Sequence, residues 1–146
     1  NHVGPDLAML DGAHAMTDVT GFGLLGHAME MARGSKVEIE LDASAAAVLP
    51  GVGAYLRQGV RTGASARNWE SYGAGVLLPE DFSPAMKDLL TDPQTSGGLL
   101  VAVAPGAADA ALDLVRRAGF QEACFVGRAV AGAPRIRVLE GGMDGA

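Results

Sequence analysis

The chain has 146 residues, of which 49% are hydrophobic, with one cysteine and a formal net charge of −6 from eleven Lys plus Arg against seventeen Asp plus Glu. That length and apolar content fit a single domain with its own core and exclude a disordered chain, while the lone Cys124 excludes a disulfide framework or a cysteine-based zinc site. With one Trp, two Tyr, four Phe and no basic run, a phosphate-neutralising nucleic-acid surface is not expected.

No apolar run approaches the ~20 residues of a membrane span, and no basic N-region marks a signal peptide, so a cytoplasmic protein without a membrane partner is expected. The 21 glycines, about twice the usual ~7%, form no repeat and collect at element ends. The chain opens on Asn1 without an evident element start, which suggests a fragment whose site is shared with a missing part.

In chain order, Gly4-Pro5-Asp6 opens a short helix through Leu7-Ala8-Met9-Leu10 that ends near Gly12. Residues 14–19 read as a strand. Glycines follow, with Thr20 or Asp18 as helix N-cap, and then apolar positions Leu24, Leu25, Ala28, Met31 and Ala32 at helical spacing. His27, Glu30 and Arg33 fall on the opposite face, and Gly34 is the expected C-cap. Val37, Ile39 and Leu41 alternate with charges over residues 36–41, which predicts a half-buried strand with a solvated charged face. A short helix over residues 45–49 is stopped by Pro50-Gly51, and a second is expected at residues 53–58.

Residues 59–75 read as an irregular loop carrying Arg67, Asn68, Trp69 and Tyr72; it is either functional or a surface loop with Trp69 set in the core. Ser83-Pro84 starts a helix to about Leu90. The turn at residues 91–98 opens into Leu99-Leu100-Val101-Ala102-Val103, a run suited to burial on both faces. A helix from Pro105 shows Ala108, Ala111, Leu112, Val115 and Ala118 on one face and ends at Gly119. Strands follow at residues 123–130, with Cys124 as inert core, and at residues 135–139. The tail at 141–146 is expected to be disordered. Helices interleaved with hairpin-like strands predict an α+β fold, a mixed β-sheet with helices packed against it.

The candidate chemistry gathers at one switch from strand to helix. Gly21-Phe22-Gly23-Leu24-Leu25-Gly26 has the spacing of a dinucleotide-binding turn. The polar residues Thr17-Asp18-Val19-Thr20 ahead of it suit a buried first strand poorly, and no parallel strand-helix-strand repeat follows. The alternative is an anion site of backbone N–H groups beside a carboxylate, where magnesium bridging to phosphate is at home. Asp18 is then the one placed carboxylate, so further ligands must come from elsewhere; otherwise it is a turn or cap residue. His14 and His27 could join it on a transition metal, but isolated histidines are more commonly structural. Thr95-Ser96-Gly97-Gly98 is a second possible anion cradle, or simply a tight lead into the strand.

Three stretches carry a resemblance. The run from Thr17 to His27, Arg67-Asn68 with Ser71-Tyr72-Gly73, and Asp92-Pro93-Gln94-Thr95-Ser96-Gly97-Gly98-Leu99-Leu100 resemble, in order, blocks of the selenophosphate synthetases (selenide, water dikinases), within the aminoimidazole ribonucleotide synthetase superfamily. The resemblance implies that residues 1–140 form the C-terminal domain of an enzyme that consumes ATP, selenide and water with magnesium and yields selenophosphate, AMP and phosphate. It further implies that the N-terminal domain supplies the reactive Cys or selenocysteine, an essential Lys, most metal-binding Asp residues and the dimer interface, leaving this piece inactive alone. Asp18 matches the metal-binding Asp of the C-terminal domain. Thr20, Gly21, Gly23, Thr95 and Ser96 are implied near the nucleotide phosphates, and Arg67 and Asn68 near the substrate cleft. The remaining readings are a ligand-binding or regulatory module of the same fold and a purine-pathway ATP-dependent synthetase domain.

Overall fold

Leu25, Ala28, Met29 and Ala32 follow one another at helical spacing, and each is at most 1% exposed in the computed structural model, which describes residues 1–139. They lie on helix α2 (Gly23–Ser35), the inner element of the fold. Before it come α1 (Gly4–Ala8) and strand β1 (Ala13–Asp18); after it come β2 (Glu38–Asp42), α3 (Val52–Arg57), α4 (Gly63–Tyr72), β3 (Val76–Leu77) and α5 (Pro84–Thr91). The order closes with β4 (Leu99–Val103), α6 (Ala108–Arg117), β5 (Gly127–Val130) and β6 (Arg135–Leu139). The expected tail lies outside the described residues.

The strands form two sheets. A four-stranded mixed sheet has the order β3-β6-β2-β5, with β6 parallel to both β2 and β3 and β5 antiparallel to β2. A two-stranded antiparallel sheet pairs β1 with β4. The apolar face of the larger sheet, with Ile39, Leu41, Val76, Ile136 and Val138, takes α2 as its cover and forms the main core. Beneath the smaller sheet, Val3, Leu7 and Ala111 make a second cluster with Leu99, Val101 and Val103. No described helix is long and apolar enough to cross a membrane.

Several local expectations change. α2 buries Met29 and His27 along with Leu25, Ala28 and Ala32, while Leu24 and Met31 of the expected stripe are half-buried, because α4 and α5 flank it in addition to the sheets and widen its covered arc. Its left-handed cap is Lys36 (φ 56°) rather than Gly34, with the Val37 N–H returning to the Ala32 carbonyl. The helix expected at residues 45–49 is only a 3-10 turn at Ala43–Ala45, capped by Asp42, since so short a run before Pro50 cannot propagate. β4 is half-buried rather than buried on both faces, because β1 is its one strand partner among the described residues.

The last strands and the loop at 59–75 also change. Only Gly127–Val130 of the strand expected at 123–130 forms. Cys124 precedes it, is exposed, and donates from Sγ to the Ala45 carbonyl at 3.0 Å. Partial burial of the thiol pushes its pKa up, away from the reactive thiolate. The loop expected at 59–75 is mostly helix α4, N-capped by Thr62. Its inward positions Ser65, Asn68, Trp69 and Tyr72 keep helical spacing, but three of them carry polar groups and conceal the apolar period.

The charged face of β2 is the largest departure. Instead of meeting solvent, Glu38 is 4% exposed and accepts from Arg135 Nε at 2.5 Å and Arg137 Nε at 2.7 Å, while Glu40 accepts from Arg128 Nε at 2.6 Å. Register explains it: β6 and β5 flank β2 and set Arg135 opposite Glu38 and Arg128 opposite Glu40. The Arg135 guanidinium first, and then Arg137, hold the Glu38 carboxyl below the usual carboxylate range. A carboxyl depressed in the folded state contributes stability above its unfolded pKa, near 4.5, and loses it as pH falls through the folded value. Urea midpoints from pH 7 to pH 3 should therefore fall more steeply for the wild-type chain than for Glu38→Gln; parallel curves would remove this ion pair from the acid response.

Candidate functional site

β1 alternates along its length and ends on Asp18, so His14, Met16 and Asp18 share its exposed face. Asp18 stands opposite Leu99 of β4, and the Asp18 carboxylate accepts no hydrogen bond among the described residues. It does not cap α2. Phe22 holds the N-cap position without a side-chain bond, the Gly23 N–H returns to the Thr20 carbonyl at 3.2 Å, and the Thr20 hydroxyl lies 3.2 Å from His27 Nε2.

The turn between β1 and α2 is held by partners distant in sequence. The Val19 N–H donates to the Gly98 carbonyl and the Gln94 N–H to the Thr20 carbonyl, both at 2.9 Å. Asn68 Nδ2 donates to the carbonyls of Gly21 and Thr91, each at 2.9 Å, and Tyr72 Oη donates to the Phe22 carbonyl at 2.6 Å. Burial pushes the Tyr72 phenol pKa up, which keeps it protonated as that donor. α4 is itself tied to the following turn, because Asp92 Oδ1 accepts from Thr62 Oγ1 at 2.8 Å and Ser65 Oγ at 3.1 Å.

The glycines serve this packing. Gly23 has φ +68°, and a Cβ there would stand 2.6 Å from the Thr91 carbonyl carbon; one on Gly26 would stand 2.7 Å from the Tyr72 ring. The dinucleotide-like spacing thus corresponds to the close approach of α4 and α5 to the turn, which separates it physically from a pyrophosphate-binding turn.

The expected site residues divide. Thr20, Gly21, Gly23 and Asn68 lie in one hydrogen-bonded unit beside Asp18. Thr95 and Ser96 are exposed at the tip of the 92–98 turn, and Arg67 is exposed on α4. A recess lined by Arg61, Thr62, Trp69, Lys87 and Asp88 lies between α4 and α5, with Lys87 Nζ 5.1 Å from the Trp69 ring centre, and does not include Asp18. Among the described residues no three His, Cys, Asp or Glu side chains are grouped to hold a metal ion. Sequence reasoning singled out Tyr72 within the loop expected at 59–75 without its bond to the Phe22 carbonyl, and placed His27 on the solvent face. Tyr72 follows Asn68 by four residues, a same-face spacing that becomes visible once residues 62–72 are read as a helix.

The sequence profile of the AIR synthase related protein C-terminal domain matches residues 2–138. The chain belongs to that family. Among curated relatives, the selenide, water dikinase of Pseudomonas straminea is 51% identical over 138 residues, covering 94% of this chain and 39% of that protein. The selenide, water dikinase of Rhizobium meliloti (strain 1021) is 52% identical over 139 residues, covering 95% and 40%. This AIR synthase related domain therefore spans about two fifths of the length of the curated relatives it matches. The crystal structure of E. coli HypE, a hydrogenase maturation protein, superposes with a TM-score of 0.58 at 21% identity, over 97% of this chain and 36% of that one, and shows the same fold. The α+β architecture read from the sequence is that of this family.

Within the domain, Asn68→Ala leaves two carbonyls without their shared donor. It should cost about 1–3 kcal/mol in urea denaturation and accelerate amide exchange at Gln94 and Gly23. Unchanged exchange at both amides would show that the turn does not depend on Asn68.

Proposed function

We propose that this chain is the C-terminal domain of an ATP- and magnesium-dependent selenide, water dikinase, which makes selenophosphate from selenide and ATP and releases AMP and phosphate. The observation that carries the proposal is the meeting of all three resembling blocks around the turn that follows Asp18. The roughly half-identical relatives that bear that name support it. The domain would work with an N-terminal domain of the same enzyme, within a homodimer in the cytoplasm.

Asp18 is exposed, its carboxylate is unbonded among the described residues, and it adjoins a backbone fixed from three directions. These features suit one oxygen ligand of a magnesium ion whose other ligands are phosphate oxygens and carboxylates of the N-terminal domain. Magnesium when bound supplies charge neutralisation on the transferring phosphoryl group. The chain's own contribution is positioning: Asn68, Tyr72 and Gln94 fix the turn, and Thr20, Gly21 and Gly23 shape the wall beside Asp18. Thr95 and Ser96 would approach the phosphates from the neighbouring turn, and Arg67 would face the substrate cleft.

Two outcomes test the reading. The 146-residue chain alone should show no selenide-dependent conversion of ATP to AMP, and turnover without an N-terminal domain would overturn the two-domain account. In the full-length enzyme, Asp18→Asn should lower kcat by about a hundredfold or more, as loss of ~3 kcal/mol of charge stabilisation implies, with an unchanged melting temperature. Near-wild-type turnover would remove Asp18 from the metal site.

A further inference from the structure

His27 is the buried histidine of the glycine-rich block, with its side chain 7% exposed. Nε2 lies 3.2 Å from Thr20 Oγ1, and the Phe22 ring leans on the imidazole with centroids 5.5 Å apart. Among the described residues, Nδ1 is the one buried side-chain nitrogen or oxygen without a hydrogen bond. The group that faces it is the Glu30 carboxylate, 3.5 Å away and one turn along α2. The pair misses hydrogen-bond geometry yet is close enough for charge to matter.

A neutral imidazole carries one proton, and its neighbours decide which nitrogen holds it. A lone pair on Nδ1 would face a carboxylate, whereas a proton there is attracted by it. Nδ1 is therefore the protonated nitrogen, and Nε2 can only accept. The Thr20 hydroxyl must then donate to Nε2, which leaves its oxygen lone pairs directed away from the imidazole, on a half-buried residue two positions along the chain from Asp18.

We infer that His27 is a positioning residue that presents the Thr20 hydroxyl as an oxygen ligand for the divalent cation at Asp18, rather than as a proton donor to phosphate. The inference rests on the dikinase reading for the identity of the cation. Hard divalent cations take oxygen lone pairs, and a hydroxyl whose proton is already committed offers them without reorientation.

The tautomer and the cation affinity test it separately from turnover. Imidazole 15N spectra of the full-length protein should show His27 protonated at Nδ1 with Nε2 as acceptor; a proton on Nε2 overturns the inference. Calorimetric titration with Mg2+ alone should show about tenfold weaker binding for Thr20→Val and restored binding for Thr20→Ser, with the KM for ATP at saturating Mg2+ unchanged. A raised KM for ATP at unaltered Mg2+ affinity assigns Thr20 to phosphate and overturns it. Neither measurement needs selenide turnover. Failure of the dikinase reading therefore appears as lost selenide dependence with the tautomer intact, and failure of this inference as the reverse.

Discussion

The carbonyls of Thr20, Gly21 and Phe22 each take a donor from a distant part of the chain: the Gln94 N–H, Asn68 Nδ2 and Tyr72 Oη. A typical intramolecular hydrogen bond contributes about 0.5–1.5 kcal/mol net, so the three together are a sizeable share of a small domain's net stability of about 5–15 kcal/mol. α4 and the 92–98 turn are placed where they meet this demand for donors. Asn68 and Tyr72 on the inward face of α4 follow from the same demand, as do the glycines at 23 and 26, which admit the close approach.

α2 connects this polar locus to the core. Its first turn carries the glycines that α4 and α5 press upon, and its next turns bury Leu25, Ala28, Met29 and Ala32 against the four-stranded sheet. The turn cannot shift without moving α2 in a close-packed interior. On the other side of that sheet, Glu38 and Glu40 are tied to arginines on both neighbouring strands, so β2 is secured laterally by charge and below by apolar packing. A hydrogen-bonded backbone at 19–23 beside an exposed carboxylate is the pre-organisation that the proposed metal–phosphate site would require.

Much of the fold could be read along the chain because local signals agreed with tertiary demand. α5 starts at Ser83-Pro84, and the strand-glycine-helix order around Asp18 stands as read, while the helix expected from Pro105 opens as a 3-10 turn and becomes α6 at Ala108, packing through Ala111, Leu114 and Val115. α4 was hidden because its inward residues beside Trp69 are polar: Ser65 serves the Asp92 carboxylate, and Asn68 and Tyr72 serve backbone carbonyls. The solvated face expected for β2 failed for a related reason: alternation reports which residues share a face, not what covers it. His27 was misplaced because a helix covered from several sides buries residues that a one-sided amphipathic pattern leaves out.

By itself the sequence determined the α+β class, the turn carrying Asp18, and the three blocks that join the chain to its family, since these depend on local spacing and residue type. Only the tertiary structure decided that the three blocks are one unit. Their contacts join Gly21 to Asn68 across 47 residues and Phe22 to Tyr72 across 50, and bring the Gln94 N–H to the Thr20 carbonyl. Hydrogen bonds to backbone carbonyls leave no mark on the residues whose carbonyls accept them, so no local pattern could reveal which elements would close around Asp18.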